Sequence, residues 1–155
     1  MKYYIGIDPG SHGAISLIDE NSKPIESHVY NKFEVADILK RYKSDYIDKG
    51  IPVMCTLEKV HSMPRDGVKQ AFSFGENYGT IKGALIVCGI PFQEVPPATW
   101  KREFSLIGCD KSVSISRCKE LFPSLSLLPT ERCRKDSDGM AEATLIAEYG
   151  RRRFK

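Results

Sequence analysis

The feature that most restricts the fold is the order in which two hydrophobic periods alternate along the chain. Residues Tyr3 to Asp8 are β-branched and aromatic, Pro9-Gly10-Ser11 turns the chain, and Gly13 to Ile18 and Pro24 to Tyr30 read as two further strands. Strands this close together predict an antiparallel meander. Phe33, Ala36, Ile38, Leu39 and Tyr42 then recur at helical spacing as far as Gly50, before Val53 to Val60 reads as a strand. A strand reached through a helix calls for a β-α-β crossover, so parallel pairing must join the antiparallel pairs. Gln70 to Cys88 is long enough for a helix despite Gly75, Gly79 and Gly83, and Phe92 to Val95 is a short strand stopped by Pro96-Pro97. From Ala98 the pattern is helical. Asp110 or Ser112 would start a helix carrying Val113, Ile115, Cys118 and Leu121 that Pro123 ends, and Asp136 or Ser137 would cap a last helix running through Tyr149. The expectation is an α/β layer fold with a mixed five-stranded sheet flanked by helices, in one domain spanning residues 1–155.

Composition allows this and excludes other classes. With 41% hydrophobic residues, 155 residues suffice for one core, and a net charge of +3 permits a nucleic-acid partner without arguing for one. Five cysteines, at 55, 88, 109, 118 and 133, form no CxxC pair and no zinc spacing, so reduced thiols in a cytoplasmic protein are expected. The opening MKYYIGIDPG reaches an aspartate too soon for a signal sequence or a membrane span. The stretch Arg151-Arg152-Arg153-Phe154-Lys155 reads as a basic tail, either solvated or in contact with nucleic acid.

Acidic residues carry the chemistry. Asp8 ends the first strand where a side chain can point into a cleft, although an aspartate before Pro-Gly is also ordinary turn chemistry. Met54, Thr56 and Glu58 alternate with Cys55, Leu57 and Lys59 in an otherwise apolar strand, and a carboxylate there needs a basic partner or a metal. In Asp136-Ser-Asp138-Gly-Met-Ala-Glu142, Asp138 and Glu142 share one helical face, while Asp136 or Asp138 can equally serve the helix start. Four acids with almost no histidine suit a hard cation held by oxygen, Mg²⁺ or Mn²⁺, and hence phosphoryl transfer.

Gly6-Ile-Asp8-Pro-Gly10-Ser11, Leu57-Glu58-Lys-Val60, Gly75-Glu-Asn-Tyr-Gly79 and Ala141-Glu142-Ala143, in that order, resemble the RuvC family of Holliday-junction resolvases. The resemblance implies an RNase H-like sheet, a homodimer, and a Mg²⁺ or Mn²⁺ centre nicking symmetry-related strands of a four-way DNA junction. Carried over by position, the family's acids fall on Asp8, Glu58 and Glu142, with Asp138 as the fourth ligand. Two departures stand out. The family's last acids are usually aspartates three apart, whereas Asp138 and Glu142 are four apart with Asp136 nearby, and His61 occupies a loop place where the family tends to carry an aromatic ring. His61, Met63 or Phe72 would stack on or wedge between bases. Lys101 and Lys111 resemble lysines lining the family's DNA groove, and Lys111 at a helix start would hold a phosphate together with backbone N–H groups. Arg65, Lys69, Arg132, Arg134 and Lys135 are further DNA-binding candidates, and Trp100 reads as a core or helix anchor.

Rival readings are a broader nuclease for flaps and other branched DNA, an actin-like nucleotide-binding domain suggested by the opening motif, and a binding-only module. The short chain and loosely matched motifs would suit a bacteriophage enzyme acting in the host cytoplasm. For the dimer, Phe74, Tyr78, Ile81, Leu85 and Cys88 form a stripe, with glycines allowing close approach of a partner helix, although the same stripe would also serve to cover the protein's own sheet.

Overall fold

The computed structural model describes residues 1–61 and 63–154. Strands β1 (Tyr3–Asp8), β2 (Ala14–Asp19) and β3 (Pro24–Val29) form the expected meander, and β4 (Val53–Glu58) and β5 (Phe92–Val95) complete a sheet of order β3-β2-β1-β4-β5. β1–β2 and β2–β3 are antiparallel, while β1–β4 and β4–β5 are parallel. Both parallel joins are made by helices, α1 (Glu34–Asp45) before β4 and α2 (Val68–Val87) between β4 and β5. Helices α3 (Pro97–Glu103), α4 (Lys111–Leu121) and α5 (Asp138–Arg153) follow. Proline stops β5 and also starts α3, where Pro97 occupies a first-turn position needing no N–H. Of the alternative caps, Asp110 accepts the Ser112 N–H and Ser137 the Met140 N–H. The expected elements are all present, with ends shifted by a few residues where pairing stops.

The pleat sorts side chains into two cores. Ile5, Ile7, Cys55 and Leu57 point toward α1 and α2, where Leu39, Tyr42, Ile81 and Leu85 are buried. Tyr4 faces the opposite layer of Trp100, Cys118, Leu145 and Ile146 from α3, α4 and α5. Gly6 lies on this second face, and α5 comes close enough that a Cβ on Gly6 would sit 2.0 Å from the Ala143 carbonyl oxygen. Gly139 and Gly150 allow the same intimacy from the helix side, against the His12 carbonyl and the Thr56 hydroxyl. α5 therefore lies with its backbone on the sheet, and residues 139–150 are all buried.

The structure decides between the two readings of the α2 stripe and corrects the reading of the basic tail. Ile81, Leu85 and Cys88 are buried in the chain's own core, so that stripe of α2 covers the sheet and is not a free surface. The exposed face of α2 carries Val68, Phe72, Gly75, Gly79, Gly83 and Ile86 instead, and a Cβ on any of these glycines would meet nothing. Arg151, Arg152 and Arg153 form no loose tail: they are the last turn of α5, paired to Glu148 and Glu103. Lys155 lies outside the described residues. No helix among the described residues is long and apolar enough to cross a membrane.

Candidate active site

Register places the first two acids. β1 and β4 run parallel, with Gly6 opposite Thr56 and Ile7 opposite Leu57, so the next step brings Asp8 and Glu58 side by side at the C-terminal edge of the sheet. By alternation both share the face of Gly6 and Thr56, the face that α5 covers. Asp8 is fixed by its own turn: its Oδ1 accepts the Gly10 N–H at 3.0 Å and its carbonyl accepts the Tyr30 hydroxyl at 2.9 Å. Gly13 is required there, because a Cβ would fall 2.0 Å from the Asp8 carbonyl oxygen. The turn chemistry expected of Asp8 is real, but the side chain is enclosed.

Glu142 comes from α5 and is 8% exposed. Its Oε1 accepts from the Ser114 hydroxyl of α4 at 3.2 Å and lies 3.9 Å from the Lys101 Nζ of α3. Glu58 Oε2 accepts the indole N–H of Trp100 at 2.7 Å. One turn before Glu142, Asp138 pairs with Lys111 at 2.5 Å, whereas Asp136 turns to Lys119 at 2.5 Å. Lys111 also acts through space on Glu142 and Asp8, which puts Asp138, and not Asp136, in the electrostatic neighbourhood of the other acids.

The acids repel one another in a poorly solvated place. Asp8 is pushed up to about 7, first by burial and then by the charge of Glu58, with Glu142 adding to the rise while the Gly10 N–H and Lys111 oppose it. Burial also raises Glu58, against the Trp100 hydrogen bond. Burial would raise Asp138 too, but its ion pair with Lys111 holds it below the usual range. Among the described residues no three Asp, Glu, His or Cys side chains close on a common point at ligand distances. The side chains as they stand are spread toward Trp100, Lys101 and Lys111.

The remaining predicted residues divide into three groups. Lys101 and Lys111 stand at the carboxylates. Lys69 and Lys135 line two clefts, of about 770 and 460 Å³, that share Ser11 and Tyr30 and so flank the turn after Asp8. His61, Arg65, Arg132 and Arg134 lie exposed on connecting segments, as does Met63, and Phe72 is exposed on α2. At the start of α4 the Asp110 side chain already takes the Ser112 N–H and the Asp110 carbonyl the Val113 N–H, so those two groups are engaged beside Lys111. Sequence reasoning missed Ser114 and the polar half of Trp100. The signal for Trp100 was its N–H, which needs an acceptor once buried.

The strand order and flanking helices define an α/β architecture of the RuvC-like, RNase H-like kind. Within that class the chain is similar to the solved structure of Thermus thermophilus RuvC, at TM-score 0.61 and 14% identity over 94% of this chain and 90% of that one. T. thermophilus RuvC in complex with Holliday junction substrate matches at TM-score 0.60 and 15% identity, over 95% and 90%. No family model and no curated protein matches the sequence.

Proposed function

We propose that this chain is a Mg²⁺- or Mn²⁺-dependent endonuclease for branched DNA, and that it resolves four-way junctions as a homodimer through paired, symmetric nicks. The observation that carries the reading is the gathering of Asp8, Glu58, Glu142 and Asp138 at the C-terminal edge of a RuvC-like sheet, fronted by Lys101 and Lys111. The residues fit the metal. An all-carboxylate donor set suits a hard cation, and a divalent charge would offset the burial and the neighbouring carboxylates that together push Asp8 up. Asp8, Glu58, Asp138 and Glu142 would hold it. A bound ion supplies a more acidic attacking water and stabilisation of the leaving oxygen. Asp8, tied by its turn, keeps its carboxylate aimed into the site. Lys111 and Lys101 attract the phosphate, while Lys69, Lys135, Arg65, Arg134 and His61 follow the flanking strands as charge or stacking contacts.

The dimer follows from symmetry, since paired nicks need two centres and each chain carries one. The open α2 face of Val68, Phe72, Gly75, Gly79, Gly83 and Ile86 suits a second copy, because glycines let two helix backbones approach while Phe72 and Ile86 bury apolar surface. The test is to offer the purified protein a four-way junction, a flap and a linear duplex in Mg²⁺, Mn²⁺ or chelator. The expected outcome is metal-dependent paired nicking of the junction by a species of twice 17.4 kDa. Equal cutting of flaps moves the assignment to a general branched-DNA nuclease, and junction binding with no cutting in any metal moves it to a binding module.

A further inference from the structure

Trp100 is the only tryptophan of the chain and is fully buried, yet its indole N–H is spent on a carboxylate and not on a core carbonyl. The sheet explains how it gets there. Val95 pairs with Glu58 in the β4–β5 register, Pro96 and Pro97 then turn the chain stiffly, and the first turns of α3 swing the indole back over the strand end it has just left. The bond to Glu58 Oε2 is 2.7 Å, short for a neutral donor. The next residue, Lys101, reaches toward Glu142. Adjacent side chains of one short helix thus address two acids from different elements.

A glutamate at a strand end is free to rotate about its last two bonds. Tying one carboxylate oxygen restricts that rotation and leaves Oε1, which has no hydrogen-bond partner among the described residues, open to a further ligand. We propose that Trp100 is a positioning residue, whose indole N–H sets Glu58 Oε1 for a divalent cation shared with Asp8 and Glu142. This rests on the metal-dependent reading above. A phenylalanine there would fill most of the same volume and lose only the tether.

A single tryptophan gives a single indole N–H signal in a ¹H–¹⁵N spectrum. Adding Mg²⁺ to the wild-type protein should move that signal saturably, and Glu58→Gln should displace it and abolish the response. By calorimetry, Trp100→Phe should bind Mn²⁺ about 10-fold more weakly, the scale expected when a ligand loses its orienting partner. Phe104→Leu, in the same core cluster with no acid to hold, controls for packing damage: it should lower Tm and leave Mn²⁺ affinity unchanged. Equal Mn²⁺ affinity in Trp100→Phe and wild type overturns the positioning role while leaving the nuclease reading intact. The same holds if Phe104→Leu weakens binding as much as Trp100→Phe. No saturable Mn²⁺ binding by wild type overturns both. Should Trp100→Phe fail to fold, the wild-type spectrum decides: an indole signal indifferent to Mg²⁺ and to Glu58→Gln refutes the proposal.

Discussion

Helix α5 carries two buried glutamates six residues apart, and their surroundings treat them in opposite ways. Glu148 is 2% exposed, and Arg151 grips it at 2.8 and 2.9 Å, Arg152 at 2.8 Å and the Ser22 hydroxyl at 2.8 Å. Burial alone would raise its pKa, but these donors hold it below the usual range. Glu142 has one hydroxyl and a lysine at 3.9 Å, and the acids around it, Asp8 and Glu58, are raised. One end of the helix is a satisfied ion-pair lock between α5 and the β2–β3 turn. The other holds charge that nearby cations do not match, an arrangement that lowers stability and is retained where the charge has work to do.

Asp8→Asn tests that contrast most severely. Mg²⁺-dependent cleavage of a four-way junction should fall below detection while junction affinity stays equal or rises, because a ligand and a negative charge near phosphate are removed together. Losing a buried, repelled carboxylate should leave Tm unchanged or higher. Substantial metal-dependent cutting by the purified variant would sink the functional half of the comparison. Glu58→Gln should behave likewise.

Both ends of α5 depend on its seat against β1, so Gly6→Ala should damage everything at once. Its Cβ would overlap the Ala143 carbonyl and the Ala147 backbone, which nothing nearby can vacate, and a loss of about 3 kcal/mol or more in urea unfolding is expected. Gly75→Ala on the open face of α2 is the counterpart, expected to gain about 0.5–1 kcal/mol from helix propensity in the monomer. If that face joins two copies, the same change should weaken the dimer and turn paired nicks into single ones. A Gly6→Ala protein as stable as wild type would mean that α5 sits elsewhere.

These glycines mark where sequence reading succeeded and where it stopped. The alternation of Met54, Thr56 and Glu58 with Cys55, Leu57 and Lys59 was legible because a two-residue period needs only one strand, and all five strands and the helix order followed from such local signals. That Gly6 serves packing was hidden, since the helix it meets lies more than a hundred residues away. Likewise the stripe of α2 was visible as a period, but which face meets the sheet depends on the angle of docking. Helical spacing favoured Asp138 over Asp136 as the partner of Glu142 without excluding Asp136. Lys119 and Lys111 separate them only once α4 packs on α5.

Glu148→Gln should cost about 3 kcal/mol, because it leaves two arginines around a neutral group, and should leave cleavage unchanged. A smaller lock at Glu26 provides a check by pH. Burial would raise this carboxyl, but a hydrogen bond from His28 and an ion pair with Arg41, each at 2.8 Å, hold it at about 2. A depressed folded pKa contributes stability that is complete above the unfolded value near 4.3 and is lost as pH falls toward 2. Urea unfolding at pH 7 and pH 3 should therefore differ less in Glu26→Gln than in wild type, by roughly 1–2 kcal/mol. An identical pH dependence would mean that the carboxyl is not held.

The smallest expected effect separates the two ends by binding. The Lys111 side chain is 70% exposed and its pair with Asp138 is open to water, so Lys111→Ala should change stability by less than about 0.5 kcal/mol. Its positive charge at the mouth of the acid cluster should matter to DNA all the same. Removing one phosphate contact should weaken junction binding a few-fold across sequences and make the slope of log affinity against log salt shallower by about one. Arg151→Ala should do the reverse, lowering Tm while leaving the salt slope intact, because that guanidinium is committed to Glu148. Fluorescence anisotropy on a labelled junction across a salt series reads both variants together. A slope that stays the same in Lys111→Ala and falls in Arg151→Ala would move the DNA surface to the far end of α5, and with it the assignment of which end of the helix is the working one.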